Sequence, residues 1–225
     1  MFSLIVTRDM DVITMHGGVI SNNRGAGVRN GNFTMHGGTI SGNQMSGVAQ
    51  TFAGPGHFTM NGGIITGNSN ISTGSLSGAG GVVIGRGFIM NGGLITGNSG
   101  RSGGGVSSTS SSEFIMNGGE ISENQAIAAV GGAGGRGGGV NMIAGSFKMN
   151  GGKVTANTAR YGGGIHSSTN PIIMNGGIVS ENVAERDGGG VQSGNFTMNG
   201  GTIIRNYAGR DGGGVHGSIG GPGIQ

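Results

Sequence analysis

The sequence predicts an all-β protein: a parallel β-helix of about eight coils, with three short strands per coil. Three observations carry that prediction. Gly supplies 58 of the 225 residues, about a quarter of the chain. The segment Met-Asn/His-Gly-Gly recurs eight times, starting at Met15, Met35, Met60, Met90, Met116, Met149, Met174 and Met198, at intervals of 20, 25, 30, 26, 33, 25 and 24 residues. Around each copy apolar residues alternate with others, the period-two pattern of a strand with one buried face.

The composition excludes the competing classes. A Gly costs about 1 kcal/mol in a helix interior, which argues against a helical bundle. Collagen needs Gly at every third position and abundant Pro, and the chain has 3 Pro and no such period. Without Cys there is no disulfide framework. No apolar run approaches the roughly 20 residues of a spanning helix, so no membrane-spanning segment is expected in this chain. Charged residues are 9% and the net charge is +3. The basic residues are scattered from Arg8 to Arg210 instead of forming a cluster, so nucleic acid is not an expected partner. The apolar start lacks both a basic lead and a small-residue cleavage site, so no secretory signal is visible.

The unit begins with Gly-Gly-Gly-Val in its fullest form, whose apolar position holds Val28, Val48, Val82, Val106, Val140, Ile165, Val191 and Val215. A strand Phe-x-Met follows, with Phe or Ile at Ile13, Phe33, Phe58, Phe88, Phe114, Phe147, Ile172 and Phe196. Asn-Gly-Gly then supplies positive φ and a compact corner. The next strand, Gly-x-Ile, places Ile20, Ile40, Ile65, Ile95, Ile121, Val154, Val179 and Ile203 on the same buried face. Such short strands have no partner within their own unit. Stacking successive units at about 4.8 Å pairs them and closes a core of Phe, Met, Ile and Val columns.

Three residues after each Ile or Val stands Asn, at Asn23, Asn43, Asn68, Asn98, Asn124, Asn157, Asn182 and Asn206. Amides stacked one coil apart can hydrogen-bond along the axis, which makes these a structural ladder. The plainer alternative is that Asn tolerates a left-handed turn there.

Phe-x-x-Asn, as in Phe58-Thr59-Met60-Asn61 and Phe114-Ile115-Met116-Asn117, resembles a repeat of polymorphic outer-membrane proteins. Its companion there is Gly-Gly-Ala followed by Ile, Leu or Val; Gly103-Gly104-Gly105-Val106 and Gly188-Gly189-Gly190-Val191 resemble a variant with Gly in place of Ala. The resemblance spans nearly the whole chain. It implies a right-handed helix belonging to a bacterial surface or secreted protein, often an adhesin. Residues 1–225 are expected to form a single β-helix domain, a fragment of a longer array whose uncapped ends stack on neighbouring coils of the same or another chain.

Candidate chemistry is sparse. The insertions 69–81 and 125–139 lengthen one corner and are rich in Gly, Ala and Ser, which reads as structural slack. Gly132-Ala133-Gly134-Gly135-Arg136-Gly137 spells a dinucleotide fingerprint but precedes another coil instead of a helix, so no cofactor is expected. Arg186-Asp187 and Arg210-Asp211 read as a surface ion ladder, and Asp9 and Asp11 as a lone pair. His16 and His36 take the corner slot of Asn. His166 and His216 are expected to point outward, two coils apart, too far for one metal. Glu120 and Lys153 read as a cross-strand pair. Thr14, Thr34 and Thr59 begin an outward threonine file suited to ice, but Ile89, Ile115 and Lys148 break it.

These features predict a non-enzymatic module at the cell surface or outside the cell, an adhesin-like stalk with a glycan or host-surface ligand. The second expectation is a carbohydrate-active β-helix, akin to polysaccharide lyases or glycoside hydrolases, with its site beside insertions 69–81 and 125–139.

Overall fold

The computed structural model describes residues 12–50, 56–71, 78–129, 131–132 and 134–220, the side chains of 218–220 excepted. Outside them lie Asp9 and Asp11, the centre of insertion 69–81, Ala133 of the glycine-rich hexapeptide and the C-terminal tail. Among the described residues every regular element is a strand. Among these residues no helix is long and apolar enough to cross a membrane.

Parallel pairing between successive repeat copies builds three sheets of 15, 8 and 6 strands, the arrangement of a parallel β-helix. The eight-stranded sheet is the simplest, running in chain order from Val19–Ser21 to Thr202–Ile204. The largest sheet holds both the Gly-Gly-Gly-Val and the Phe-x-Met strands, because the long strand Val191–Met198 covers both segments at once. Register is kept despite unequal repeat lengths. Phe88 pairs with Phe58 and Phe114, Met90 with Met60 and Met116, and Ile95 with Ile65 and Ile121.

That register makes the interior a set of columns of like side chains. Phe33, Phe58, Phe88, Phe114, Phe147 and Phe196 are fully buried. The first five stack nearly parallel, with centroids 5.1, 4.6, 4.7 and 4.7 Å apart. Ile172 takes the next place before Phe196. Met35, Met60, Met90, Met116, Met149 and Met174 are buried beside them, whereas Met198 is half-buried on the last Phe-x-Met rung. Each fully buried side chain of this kind contributes roughly 1.5–3 kcal/mol, before the entropy of ordering the chain.

The six-stranded sheet consists of two-residue strands directly after the asparagines, from Ser69–Asn70 to Tyr207–Ala208. Sequence patterning placed these residues in variable loops. Pairing starts because the asparagine carbonyls accept from the next rung, as when Ser99 N–H donates to Asn68 C=O at 2.9 Å. The insertions therefore leave the body two residues later than the sequence suggests.

Gly at the third position of Gly-Gly-Gly-Val has a steric cause. A Cβ on Gly105 would stand 2.7 Å from the Gly139 carbonyl oxygen, 2.9 Å from Ile121 Cγ2 and 3.0 Å from Asn124 Nδ2. The neighbouring rung and the amide column leave room for a hydrogen only.

Candidate functional site

Two columns of amides run along the structure. In the first, Asn43, Asn68, Asn98, Asn124, Asn157 and Asn182 are buried, Asn206 is half-buried and Asn23 is exposed. The side-chain oxygen of each of Asn43, Asn68, Asn98, Asn124, Asn157, Asn182 and Asn206 accepts from both the backbone N–H and the Nδ2 of the previous asparagine, at 2.7–3.1 Å. These asparagines do not hold the left-handed turn. Positive φ falls one residue earlier, at Asn22, Gly42, Gly67, Gly97, Glu123, Ala156, Glu181 and Arg205. The second column is exposed and occupies the Asn-Gly-Gly corner. Asn91, Asn117, Asn150, Asn175 and Asn199 each donate to the corner asparagine before them, at 2.8–2.9 Å. His36 and His16 continue this column, their rings stacked at 4.9 Å. Both columns keep rungs in register, and apart from the His16 and His36 imidazoles they are built of unreactive amides.

Chemistry gathers instead at the corner after the six-stranded sheet. A chain of backbone hydrogen bonds passes from rung to rung there. Gly135 N–H donates to Arg101 C=O, Arg160 to Gly135, Arg186 to Arg160 and Arg210 to Arg186, at 2.8–3.0 Å. Arginines far apart in sequence thus line up along one edge, with Arg136 beside them bridging Ser102 and Tyr161. This corrects the impression of scatter. The 26- and 24-residue spacings of Arg160, Arg186 and Arg210 were the available signal, since they match the intervals of the repeat.

Tyr161 organises the group. Arg160 and Arg186 lie over its ring, 5.4 and 5.7 Å from the centroid, and Arg186 Nη1 donates to its hydroxyl at 3.0 Å. Arg160 also donates to the Gly132 carbonyl, tying insertion 125–139 to the corner. Arg210 pairs with Asp187 at 2.9 Å. Burial works to raise the Asp187 pKa, but the Arg210 hydrogen bond and charge outweigh it, and the carboxyl lies below its ordinary value. Of the sequence-predicted ion ladder, this one Arg–Asp pair forms among the described residues; the other ion pairs there are Lys148–Glu113 and Arg205–Glu181.

The adjoining face carries His166, which the alternation places outward and which is nevertheless buried. One contributor is the glycine that opens Gly162-Gly163-Gly164-Ile165. Gly162, at φ +60°, turns the chain back over the strand, so that a Cβ there would stand 2.7 Å from His166 Cβ. Asn141 Nδ2 donates to Ser102 Oγ, which leaves its carbonyl oxygen for His166 Nδ1 at 2.8 Å. Burial first, and the Arg136 charge second, lower the His166 pKa from 6.5 to about 4. His216 follows Gln192 in the same file, two rungs from His166. Among the described residues no three His, Cys, Asp or Glu side chains converge on a metal position.

The remaining candidates stay apart. Glu120 and Lys153 are register partners lining a shallow groove with Leu94 and Ile178, without an ion pair between them. Thr14, Thr34 and Thr59 stack as one file, which Ile89, Ile115 and Lys148 continue. No protein-family model, curated protein or solved structure matches the chain.

Proposed function

We propose that this chain is a non-enzymatic β-helix repeat module, acting as an adhesin-like stalk or binding surface outside the cell or on its surface. In this reading residues 1–225 wind as one right-handed domain of about eight coils, three short strands per coil. The two-residue strands after the asparagines are additions to that plan. The resemblance of Phe-x-x-Asn and Gly-Gly-Gly-Val to polymorphic outer-membrane repeats supports the handedness and the setting. The observation that carries the functional reading is the arginine corner. Parallel stacking repeats a side chain at a fixed rise, and Arg160, Arg186 and Arg210 occupy three successive rungs of one edge. A regular array suits a repetitive ligand better than a single reacting bond. A glycan array tests the reading: retention of a glycan by the intact chain, with no product released, is the expected result.

A second reading, a carbohydrate-active β-helix, draws on one observation. Insertion 125–139 borders the same corner through the bond from Arg160 to Gly132. Unsaturated or reducing-end products released from a polysaccharide would establish it instead.

A further inference from the structure

The arginine corner has a definite chemical preference, and the inference from it rests on the reading of the chain as a binding module. We propose that this corner binds an acidic linear polysaccharide, with one anionic group per sugar or nearly so, lying parallel to the stack of rungs.

Charge is the first argument. From Arg101 to Arg186 the edge carries Arg101, Arg136, Arg160 and Arg186, with Glu185 as the acidic neighbour. At its far end Asp187 is engaged by Arg210, and Asp211 follows. A guanidinium has five N–H donors in a planar fork that matches a carboxylate or sulfate edge to edge. Arg101, Arg160, Arg186 and Arg210 each give one bond to a described residue, Ile71, Gly132, Tyr161 and Asp187 respectively, which leaves the rest of each fork for a ligand.

Spacing is the second argument. Rungs rise by about 4.8 Å, close to the length of one pyranose in an extended chain. Successive arginines can therefore meet successive sugars of one strand without either partner bending. Pre-organisation is the third. Arg160 and Arg186 are held against Tyr161, so less side-chain freedom is lost on binding. Tyr207, 63% exposed and three residues before Arg210, offers an open ring to the apolar face of a sugar. A nucleic-acid strand fits less well. Successive bases need several free aromatic faces in a row, and of the two tyrosines only Tyr207 is open, the Tyr161 ring already carrying two guanidiniums.

Calorimetry with the full chain tests the proposal, using polygalacturonate, its methyl ester, chondroitin sulfate and poly-dT as probes. Binding to polygalacturonate or chondroitin sulfate, weakened by salt and absent with the methyl ester, is expected. The double variant Arg160→Gln/Arg186→Gln should bind about tenfold or more weakly, since it loses two charged hydrogen-bonding groups. Arg205→Gln, altered at a different corner, should bind as the parent does. If the double variant loses its parallel-β circular dichroism, Arg186→Gln alone supplies the comparison and should show a smaller loss. Binding to neither acidic polymer, equal binding to the methyl ester, unchanged binding in the arginine variants, or tighter binding to poly-dT would each overturn the proposal. Retention of neutral glycans alone would overturn it while leaving the binding-module reading standing. Unsaturated products from polygalacturonate would remove the non-enzymatic reading but keep the acidic ligand.

Discussion

Asn98 donates twice to the same oxygen of Asn124, from its backbone N–H and from its side-chain Nδ2, both at 3.0 Å. Asn124 in turn donates to the Ile95 carbonyl at 2.9 Å and to Asn157 Oδ1 at 3.0 Å. One amide thereby satisfies a backbone donor, a backbone acceptor and two side chains in a dry interior. Asn124→Ala orphans the buried Asn98 N–H and removes one bond each from Asn98 Nδ2, the Ile95 carbonyl and Asn157 Oδ1. A buried orphan group costs about 1–3 kcal/mol and each lost bond about 1 kcal/mol. The variant should lose roughly 3 kcal/mol or more in urea unfolding. Asn124→Asp, which keeps the acceptor but not the donor, should still be clearly destabilised. A loss within error in the Ala variant would remove the amide column from any account of stability.

Phe88 sits between Phe58 and Phe114, 4.6 and 4.7 Å away, with no exposed surface. Phe88→Ala should cost about 3–5 kcal/mol, because rungs held on both sides cannot close over the cavity. Met198 is half-buried, so Met198→Ala should cost less than the roughly 2–5 kcal/mol of a buried Met. Thermal unfolding of the two variants checks the ordering.

Gly105→Ala places a methyl group against the Gly139 carbonyl oxygen and Ile121. Displacing a neighbouring rung costs roughly 1–3 kcal/mol, as overpacking does generally. The same change at Gly67, where the nearest atom is 3.9 Å away, meets no clash but falls at φ +63°. Its cost should be about 1–2 kcal/mol and purely conformational. Equal stability of Gly105→Ala and the parent chain would contradict the steric account.

His166 predicts acid sensitivity. Its folded pKa, about 4, lies below the ordinary 6.5, so the folded state resists protonation. The stability this contributes is fully present above pH 6.5 and is lost as pH falls from there through about 4. The 2.5-unit gap amounts to roughly 3 kcal/mol. Urea midpoints measured from pH 7 to pH 4 should fall, and His166→Asn should flatten that part of the profile. The depressed Asp187 carboxyl adds a loss of the same sign at lower pH, as Arg210 is deprived of its partner.

Much of this was legible in the sequence because the repeat is strict where the strands are. Eight copies of Phe/Ile-x-Met-Asn/His-Gly-Gly-x-Ile/Val, with Asn three residues on, specify period-two strands. Their shortness demands parallel stacking on the next copy. The parallel all-β class follows from those facts alone.

Where the chain leaves the repeat, the sequence says less. The stretch from each asparagine to the next Gly-Gly-Gly-Val varies in length, so Arg101, Arg136, Arg160, Arg186 and Arg210 look scattered, and only the rung-to-rung hydrogen bonds bring them to one edge. His166 shows the same limit. Alternation along its strand gives an outward direction but says nothing of the turn at Gly162 that folds back against its Cβ, nor of the Asn141 amide that holds its ring. Local periodicity fixes which face a side chain takes; what lies over that face depends on contacts between residues distant in the chain, and these exist only once the rungs have stacked.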